Sequence, residues 1–133
     1  MAVVNHLKVL LVEDVAIDAE LVLHELKKSG FSLTGKRVWT EADFREALTA
    51  FMPDIVISDF SMPAFDGLRA LQLTRELAPD VPLIFLSGDF GDDRAVSTAL
   101  KNGAADCLLK DDLARLGPAV EKAMRAARDR GDG

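Results

Sequence analysis

Short runs of apolar residues alternate along the chain with longer stretches in which apolar residues recur every three or four positions. The short runs are typical of strands that are buried on both faces, and the longer stretches are typical of amphipathic helices. Strands are predicted at residues 7–12, 36–39, 54–59, 83–86 and 106–109. This alternation predicts an α/β fold with one parallel sheet that is covered by helices on both faces.

Helices are predicted at residues 16–29, after Thr40, at 67–77, at 93–102 and from about Pro118. Thr40 and Asp66 are residue types that accept hydrogen bonds at helix N-termini. Glycines follow the first and fourth helices, where a helix commonly ends. The apolar spacing predicts the following inward-facing residues: Ala19, Val22, Leu23 and Leu26; Ala42, Phe44, Ala47, Leu48 and Phe51; Val96, Ala99 and Leu100; Val120, Ala123, Met124 and Ala127.

The chain has 133 residues, of which 49% are hydrophobic and 29% are charged. This length and balance suit one folded domain over residues 1–133, with a core at about 6–128 and a frayed C-terminal tail. The net charge of −6 argues against direct binding of nucleic acid or of an anionic membrane surface. No apolar run approaches the roughly 18 residues that a membrane span requires.

The N-terminal residues lack the charged and apolar regions of a signal peptide. The single cysteine, Cys107, cannot form an internal disulfide and suits a reducing compartment. We interpret this thiol as a small core residue of the last strand, in preference to a redox sensor. These observations together favour a cytoplasmic protein.

Polar residues follow four of the five predicted strands. Glu13 and Asp14 follow the first strand, Asp59 ends the third, Ser87 the fourth, and Lys110 comes after the fifth. Right-handed crossovers place the carboxyl ends of parallel strands on one edge of the sheet, which is where open α/β sheets bind ligands. We therefore expect three carboxylates, a hydroxyl and an ammonium group to meet on this edge.

Such a set of side chains suits phosphoryl transfer. Clustered carboxylates repel one another unless a cation neutralises them, and magnesium prefers oxygen ligands of this kind. An aspartate beside the metal can act as a nucleophile on phosphorus. Lys110 can pair with one phosphoryl oxygen as a point charge, and Ser87 can donate a hydrogen bond to another.

The chain resembles the receiver domain of bacterial two-component response regulators over nearly its whole length. The matching segments are VLLVED at 9–14, VISDFSMP at 56–63 with DG at 66–67, FLSG at 85–88, and GAAD at 103–106 with Lys110. Each segment alone is a weak signal, but all of them occur in order and each follows its own strand. The resemblance implies a doubly wound, flavodoxin-like, five-stranded parallel sheet with strand order 2-1-3-4-5.

The resemblance also implies a role for each site residue. Asp59 accepts a phosphoryl group from a phosphohistidine. Asp14 and Asp59 bind Mg²⁺, or Mn²⁺ in its place, through their side chains. Glu13 assists through water, and Ser61 offers its backbone carbonyl.

In receiver domains the hydroxyl and lysine positions, here Ser87 and Lys110, sense the phosphoryl group. The implied partners are a sensor histidine kinase or a histidine phosphotransfer protein, and a downstream protein target. The implied catalysis is limited to the domain's own phosphorylation and dephosphorylation. Receivers often pair through their fourth and fifth helices, which leaves a homodimer open.

Three residues depart from the family pattern. The acidic pair is Glu-Asp, where Asp-Asp is commoner. Cys107 replaces the usual aromatic residue whose rotation reports phosphorylation, and Asp111 replaces the proline that usually follows the lysine in a cis peptide. A cis bond before a residue other than proline costs about 2.5–4 kcal/mol. We therefore predict a trans Lys110–Asp111 bond, with Lys110 still reaching Asp59.

Without an aromatic residue at position 107, the switch must rely on Ser87 and the loop that leads from it to Asp93. Phe90 is the aromatic residue of this loop, and the glycines on either side of it make the loop pliable. We therefore predict that this loop responds when the phosphoryl group is present.

Three other functions are weighed against a phosphorylated receiver. A haloacid-dehalogenase-like phosphatase also uses aspartate, magnesium, serine or threonine, and lysine, but its Asp-x-Asp follows the first strand, where this chain has EDVA at 13–16. A flavin-binding protein of similar architecture needs a run of Ser, Thr and Gly after the first strand, which this chain lacks. A receiver that binds protein without phosphorylation remains an alternative, against which the complete acid cluster argues.

Overall fold

The computed structural model describes residues 6–132 and has alternating strands and helices. The elements are β1 (His6–Val12), α1 (Ala16–Lys28), β2 (Ser32–Val38), α2 (Glu41–Ala50), β3 (Ile55–Ser58), α3 (Gly67–Leu77), β4 (Leu83–Ser87), α4 (Asp93–Lys101), β5 (Asp106–Leu109) and α5 (Leu116–Asp132). A single 3₁₀ turn, Leu113–Arg115, precedes α5. None of the helices in these residues is both long and apolar enough to span a bilayer.

The strands form one parallel sheet in the order β2-β1-β3-β4-β5. This order confirms the expected 2-1-3-4-5 topology. In the register between β1 and β3, Val12 lies opposite Ser58, so that the two strands end side by side. The residues that follow these two strands are therefore neighbours at the carboxyl edge of the sheet.

The two faces of the sheet carry separate hydrophobic cores. Helices α1 and α5 cover one face, where they pack on the following strand residues: Val9, Leu11, Ile55, Ile57, Ile84, Leu86 and Leu108. Helices α2, α3 and α4 cover the other face, which presents these residues: Leu10, Val12, Val56, Leu83 and Phe85. Each of the three central strands contributes to both cores, as the continuous apolar runs predict.

Strand β2 is longer than the predicted 36–39. It spans Ser32–Val38 and pairs with β1 along its whole length, but only Val38 is buried. It is an edge strand, so most of its side chains meet solvent and the apolar pattern that marks the central strands is absent.

The N-terminal caps of α2 and α3 are confirmed. Thr40 Oγ1 accepts a hydrogen bond from the Asp43 amide at 3.2 Å, and Asp66 Oδ1 accepts one from the Leu68 amide at 3.2 Å. Two predictions of inward-facing residues are wrong, because Ala42 is exposed and Leu100 is 45% exposed.

Both ends of α5 differ from the prediction. The helix starts at Leu116 instead of Pro118, because Leu116 is fully buried and the 3₁₀ turn before it leads directly into the helix. The sequence predicts a frayed tail after about residue 128, whereas the helix continues to Asp132. Once a helix has formed, each further residue adds one hydrogen bond, so the helix can continue without an apolar pattern in the sequence.

Candidate metal centre

Backbone hydrogen bonds fix the two acidic segments at the carboxyl edge of the sheet. The Glu13 amide donates to the Val38 carbonyl at 3.0 Å, and the Asp59 amide donates to the Val12 carbonyl at 2.8 Å. Both bonds continue the sheet ladder by one residue beyond β1 and β3. The carboxylates after these strands are therefore held by the sheet itself.

Three carboxylates meet at this edge. Glu13, Asp14 and Asp59 each offer one oxygen, and these oxygens lie within 4.8 Å of one another. Glu13 is 5% exposed, whereas Asp14 faces solvent. An all-oxygen set that is open on one side fits Mg²⁺, which takes one or two carboxylates and keeps several of its waters.

Lys110 reaches this cluster from the end of β5. Its Nζ donates to Glu13 Oε1 at 2.6 Å, to Asp18 Oδ2 at 2.8 Å and to Asp59 Oδ2 at 3.2 Å. The Lys110–Asp111 peptide is trans, since the described residues contain no cis peptide. The prediction of a trans bond with Lys110 still in reach of Asp59 is confirmed.

Burial and charge act against each other at this contact. Burial raises the pKa of the Glu13 carboxyl above its usual value, and the hydrogen bond from Lys110 offsets part of that effect. Burial alone would lower the pKa of Lys110, but its hydrogen bonds to Asp18 and Glu13 outweigh this and raise the pKa. The ammonium therefore stays charged at neutral pH.

Ser87 ends β4 beside this cluster. The Lys110 amide donates to the Ser87 carbonyl at 2.8 Å, which ties the end of β5 to the end of β4. The Ser87 hydroxyl donates to the Asp89 carbonyl at 3.1 Å and accepts from the Asp89 amide at 3.3 Å. The side chain is buried, and its hydrogen bonds hold the first turn of the loop that leads to α4.

Three aromatic rings pack together beside Asp59, starting with that of the next residue, Phe60. The Phe60 ring meets the Phe85 ring edge-on at 5.1 Å between centroids, and the Phe90 ring lies 5.3 Å from Phe60. Gly67 lets this arrangement close, because a Cβ there would lie 2.6 Å from the Phe60 carbonyl oxygen. Phe60, Phe85 and Phe90 are called the aromatic cluster below.

Comparison with known proteins identifies the family. Residues 9–121 match the family model described as the response regulator receiver domain. The chain belongs to this family. Receiver domains are signalling modules with a phosphoacceptor role, and they bind Mg²⁺ in an acidic pocket. The cluster of Glu13, Asp14 and Asp59 is a candidate for such a pocket in this chain.

Relatives and solved structures agree with this assignment. The receiver is 33% identical over 118 residues to the luminescence regulatory protein LuxO of Vibrio campbellii, a match that covers 88% of this chain and 25% of LuxO. It is 38% identical over 106 residues to the probable transcriptional regulator ycf27 of Guillardia theta, covering 77% and 39% of the two chains. The receiver therefore spans about a quarter to two fifths of the length of these relatives.

Among solved structures, the signal receiver domain of the putative response regulator NarL from Mycobacterium tuberculosis has a TM-score of 0.76 and is 28% identical, covering 91% of this chain and 98% of that one. The signal receiver domain of the putative LuxO repressor protein from Vibrio parahaemolyticus has a TM-score of 0.82 at 24% identity, covering 96% and 98%. The second comparison supports the fold alone.

The receiver brings most of the residues expected at the site together. Glu13, Asp14, Asp59 and Lys110 meet in one cluster. The Ser61 amide donates to Asp59 Oδ1 at 3.2 Å. Ser87 ends the adjacent strand, where its hydroxyl bonds to the loop as described above. The metal-binding and sensing roles of these residues remain proposals.

The sequence reasoning missed two residues at the site. Asp18 contacts Lys110 from α1, and the Arg37 guanidinium donates to the Glu13 carbonyl at 3.2 Å while it lies over the Trp39 ring. Asp18 lies in the first turn of α1, where an acidic residue is common, so its position in the sequence carries no signal for its contact with Lys110. No sequence signal distinguishes Arg37 from other surface arginines.

Proposed function

We propose that Asp59 is the phosphoacceptor of this receiver domain and that Glu13 and Asp14 help it to bind magnesium or manganese. The observation that carries the proposal is that the carboxylate oxygens of Glu13, Asp14 and Asp59 lie within 4.8 Å of one another. Asp59 Oδ2 also lies 3.2 Å from the Lys110 ammonium. Asp59 side-chain exposure is only 11%, so its charge is partly shielded from water but remains reachable.

The proposed reaction transfers a phosphoryl group from a phosphohistidine. An Asp59 carboxylate oxygen attacks phosphorus, a P–O bond forms, and the electron pair of the breaking P–N bond returns to the imidazole nitrogen. The metal, when bound, supplies positive charge to the oxygens around phosphorus. Asp14 and the Ser61 carbonyl are proposed as further direct ligands, with Glu13 acting through water.

Lys110 and Ser87 are proposed to hold the phosphoryl oxygens once the bond to Asp59 has formed. Lys110 is already within hydrogen-bonding distance of Asp59, so it needs little movement to pair with a phosphoryl oxygen. Ser87 would exchange its bond to the Asp89 carbonyl for a bond to phosphate. That exchange would release the first turn of the loop before α4.

Membership of the receiver family supports a proposal for the wider role. The donor is proposed to be a sensor histidine kinase or a histidine phosphotransfer protein, and the phosphorylated domain is proposed to change its contacts with a downstream protein or with a second copy of itself. Catalysis is proposed to extend no further than the domain's own phosphorylation and dephosphorylation. We place this activity in the cytoplasm and assign it to one domain over residues 1–133.

The test is phosphorylation by acetyl phosphate with Mg²⁺, followed by intact-mass spectrometry. The wild-type protein should gain one acid-labile phosphoryl group. Asp59→Asn should gain none, because an amide oxygen is a poor nucleophile, and removal of divalent metal should have the same effect. Asp80→Asn is the matched control, since Asp80 is an exposed aspartate that precedes β4 at the other end of the strands.

The assignment fails if Asp59→Asn is phosphorylated at the wild-type rate. Continuous turnover of a generic phosphate ester by the wild-type protein would instead revive the phosphatase alternative. If Asp59 is phosphorylated equally well after divalent metal is removed, Asp59 is still the phosphoacceptor. The metal-binding role given to Glu13 and Asp14 is then contradicted.

A further inference from the structure

Lys110 has a carboxylate partner outside the group of proposed metal ligands. Asp18 lies in the first turn of α1, and its Oδ2 accepts from Lys110 Nζ at 2.8 Å. This contact is shorter than the 3.2 Å contact from Lys110 to Asp59. Asp18 is 32% exposed at its side chain and Lys110 is 23% exposed, so the pair lies at the mouth of the cluster.

An acidic residue in the first turn of a helix has an ordinary structural explanation, since it is stabilised by the helix dipole and can bond to free amides. The Asp18 carboxylate does not bond to those amides here. No side chain forms a cap at the start of α1, and the Asp18 carboxylate instead accepts from the lysine 92 residues further along the chain. The geometry therefore ties Asp18 to Lys110.

The same carboxylates serve two cations. Lys110 donates to Glu13 Oε1 at 2.6 Å and to Asp59 Oδ2 at 3.2 Å, and both residues also belong to the oxygen cluster that fits a divalent ion. Glu13 and Asp59 cannot direct every oxygen to a divalent ion while they keep these bonds. An ammonium without another anionic partner would then compete with the metal for them.

We propose that Asp18 is a positioning residue for Lys110. It gives the ammonium a carboxylate that the metal does not need, so that Glu13 and Asp59 can turn to the metal while Lys110 stays beside the phosphoacceptor. This inference rests on the proposed function of Asp59. It predicts that Asp18 aids metal binding and phosphorylation only through Lys110.

A double-mutant cycle tests this dependence. Mg²⁺ affinity is measured by titration calorimetry for the wild type, Asp18→Asn, Lys110→Met and the double variant. In the wild-type background, Asp18→Asn should weaken Mg²⁺ binding by about three- to tenfold, a size typical of coupled residues in one network. In the Lys110→Met background, where no ammonium competes, the same change should weaken it less than about twofold.

Two further variants distinguish the positioning role of Asp18 from a general effect of its negative charge. Glu20→Gln removes one negative charge from an exposed residue of the same helix and should leave Mg²⁺ affinity within about twofold, since exposed charges are well screened. Asp18→Glu keeps the carboxylate and should restore most of the lost affinity. Thermal unfolding of each variant should show that the fold is retained.

The phosphorylation rate provides a second measurement. With Mg²⁺ at saturation and acetyl phosphate as donor, Asp18→Asn should slow labelling of Asp59 by about threefold or more, because Lys110 is less well positioned. Equal losses of Mg²⁺ affinity in both backgrounds, or no loss in either, would overturn the proposal. If the wild type binds Mg²⁺ but is never phosphorylated, the proposed function fails, while the calorimetric cycle still decides the role of Asp18.

Discussion

Asp59 and Phe60 are consecutive residues, yet they belong to regions that are held together in different ways. Asp59 joins a cluster of carboxylates and one ammonium that is partly open to solvent. Phe60 joins the aromatic cluster, where its ring packs against Phe85, a residue that is fully buried. The first region is set by charge, and its balance changes when a cation or a phosphoryl group arrives. The second is set by packing and changes only when a ring moves.

This contrast indicates how a chemical event could be transmitted through the domain. The backbone between Asp59 and Phe60 is shared, and the Phe60 ring also contacts Phe90, which lies in the loop after β4. Ser87 controls the first turn of the same loop through its bonds to Asp89. We therefore predict that the contact between Phe60 and Phe90 carries the response, because position 107 holds no aromatic residue.

The largest effect is expected from a substitution in the aromatic cluster. Phe85→Ala should lower the free energy of unfolding by about 3–5 kcal/mol, because it removes a fully buried ring and leaves a cavity beside Phe60. Urea denaturation measures the loss. Phe85→Leu keeps most of the apolar volume and should lose no more than about 1.5 kcal/mol. A loss below about 1 kcal/mol for Phe85→Ala would show that the aromatic cluster is not structurally important.

The next largest effect is expected in the carboxylate cluster around Lys110. Lys110→Met should lower the free energy of unfolding of the metal-free protein by about 1–3 kcal/mol, since Glu13, Asp18 and Asp59 then repel one another without a counter-ion. Added Mg²⁺ should restore the stability, because a ligand that binds only the folded state stabilises it. Urea denaturation with and without Mg²⁺ measures both effects. The control is Lys101→Met, which removes an exposed lysine, and a metal-independent loss would argue against charge as the cause.

A smaller effect on stability is expected at Phe90, although its effect on signalling should be large. Phe90 is only half-buried, so Phe90→Ala should cost about 1 kcal/mol. Backbone amide chemical shifts with beryllofluoride, a mimic of the phosphoryl group, should change in the loop from Ser87 to Asp93 in the wild type. In Ser87→Ala the loop should respond much less, and in Phe90→Ala the response should no longer reach Phe60. A wild-type loop that stays unchanged while the metal site responds would contradict this path.

The sequence predicts the central sheet and the acid cluster because both depend on local patterns. The strands that contain Leu10, Val56 and Phe85 are buried on both faces, so continuous apolar runs mark them. The polar residues after these strands then meet through topology alone. The edge strand β2 has no such signal, since solvent covers most of its side chains.

The contacts of Asp18, Arg37 and Phe90 could not be predicted in the same way. Each joins residues that are distant in sequence, and many acidic, basic or aromatic residues of the chain have similar local surroundings. Only the packing of α1 beside α5 and the 3₁₀ turn that precedes it brings Asp18 within 2.8 Å of Lys110. The sequence shows that Cys107 and Asp111 stand where the family usually has an aromatic residue and a proline. Which other residues take over the roles of that aromatic residue and proline depends on tertiary structure.

Cys107 lies on the side of the sheet that carries the aromatic cluster, and the effect expected there is on thiol reactivity, not on stability or signalling. Burial, with a smaller contribution from the nearby Asp106 carboxylate, raises the pKa of the Cys107 thiol to about 11. The thiol is therefore neutral at pH 7.5, and iodoacetamide should alkylate it about 300-fold more slowly than an ordinary cysteine with a pKa of about 8.5. The rate should rise with pH up to about 11, because only the thiolate reacts. The urea-unfolded protein, which exposes the same single thiol, is the matched control, and mass spectrometry measures both rates. Equal rates in the folded and unfolded protein at pH 7.5 would contradict this protection and would reopen a redox role for Cys107.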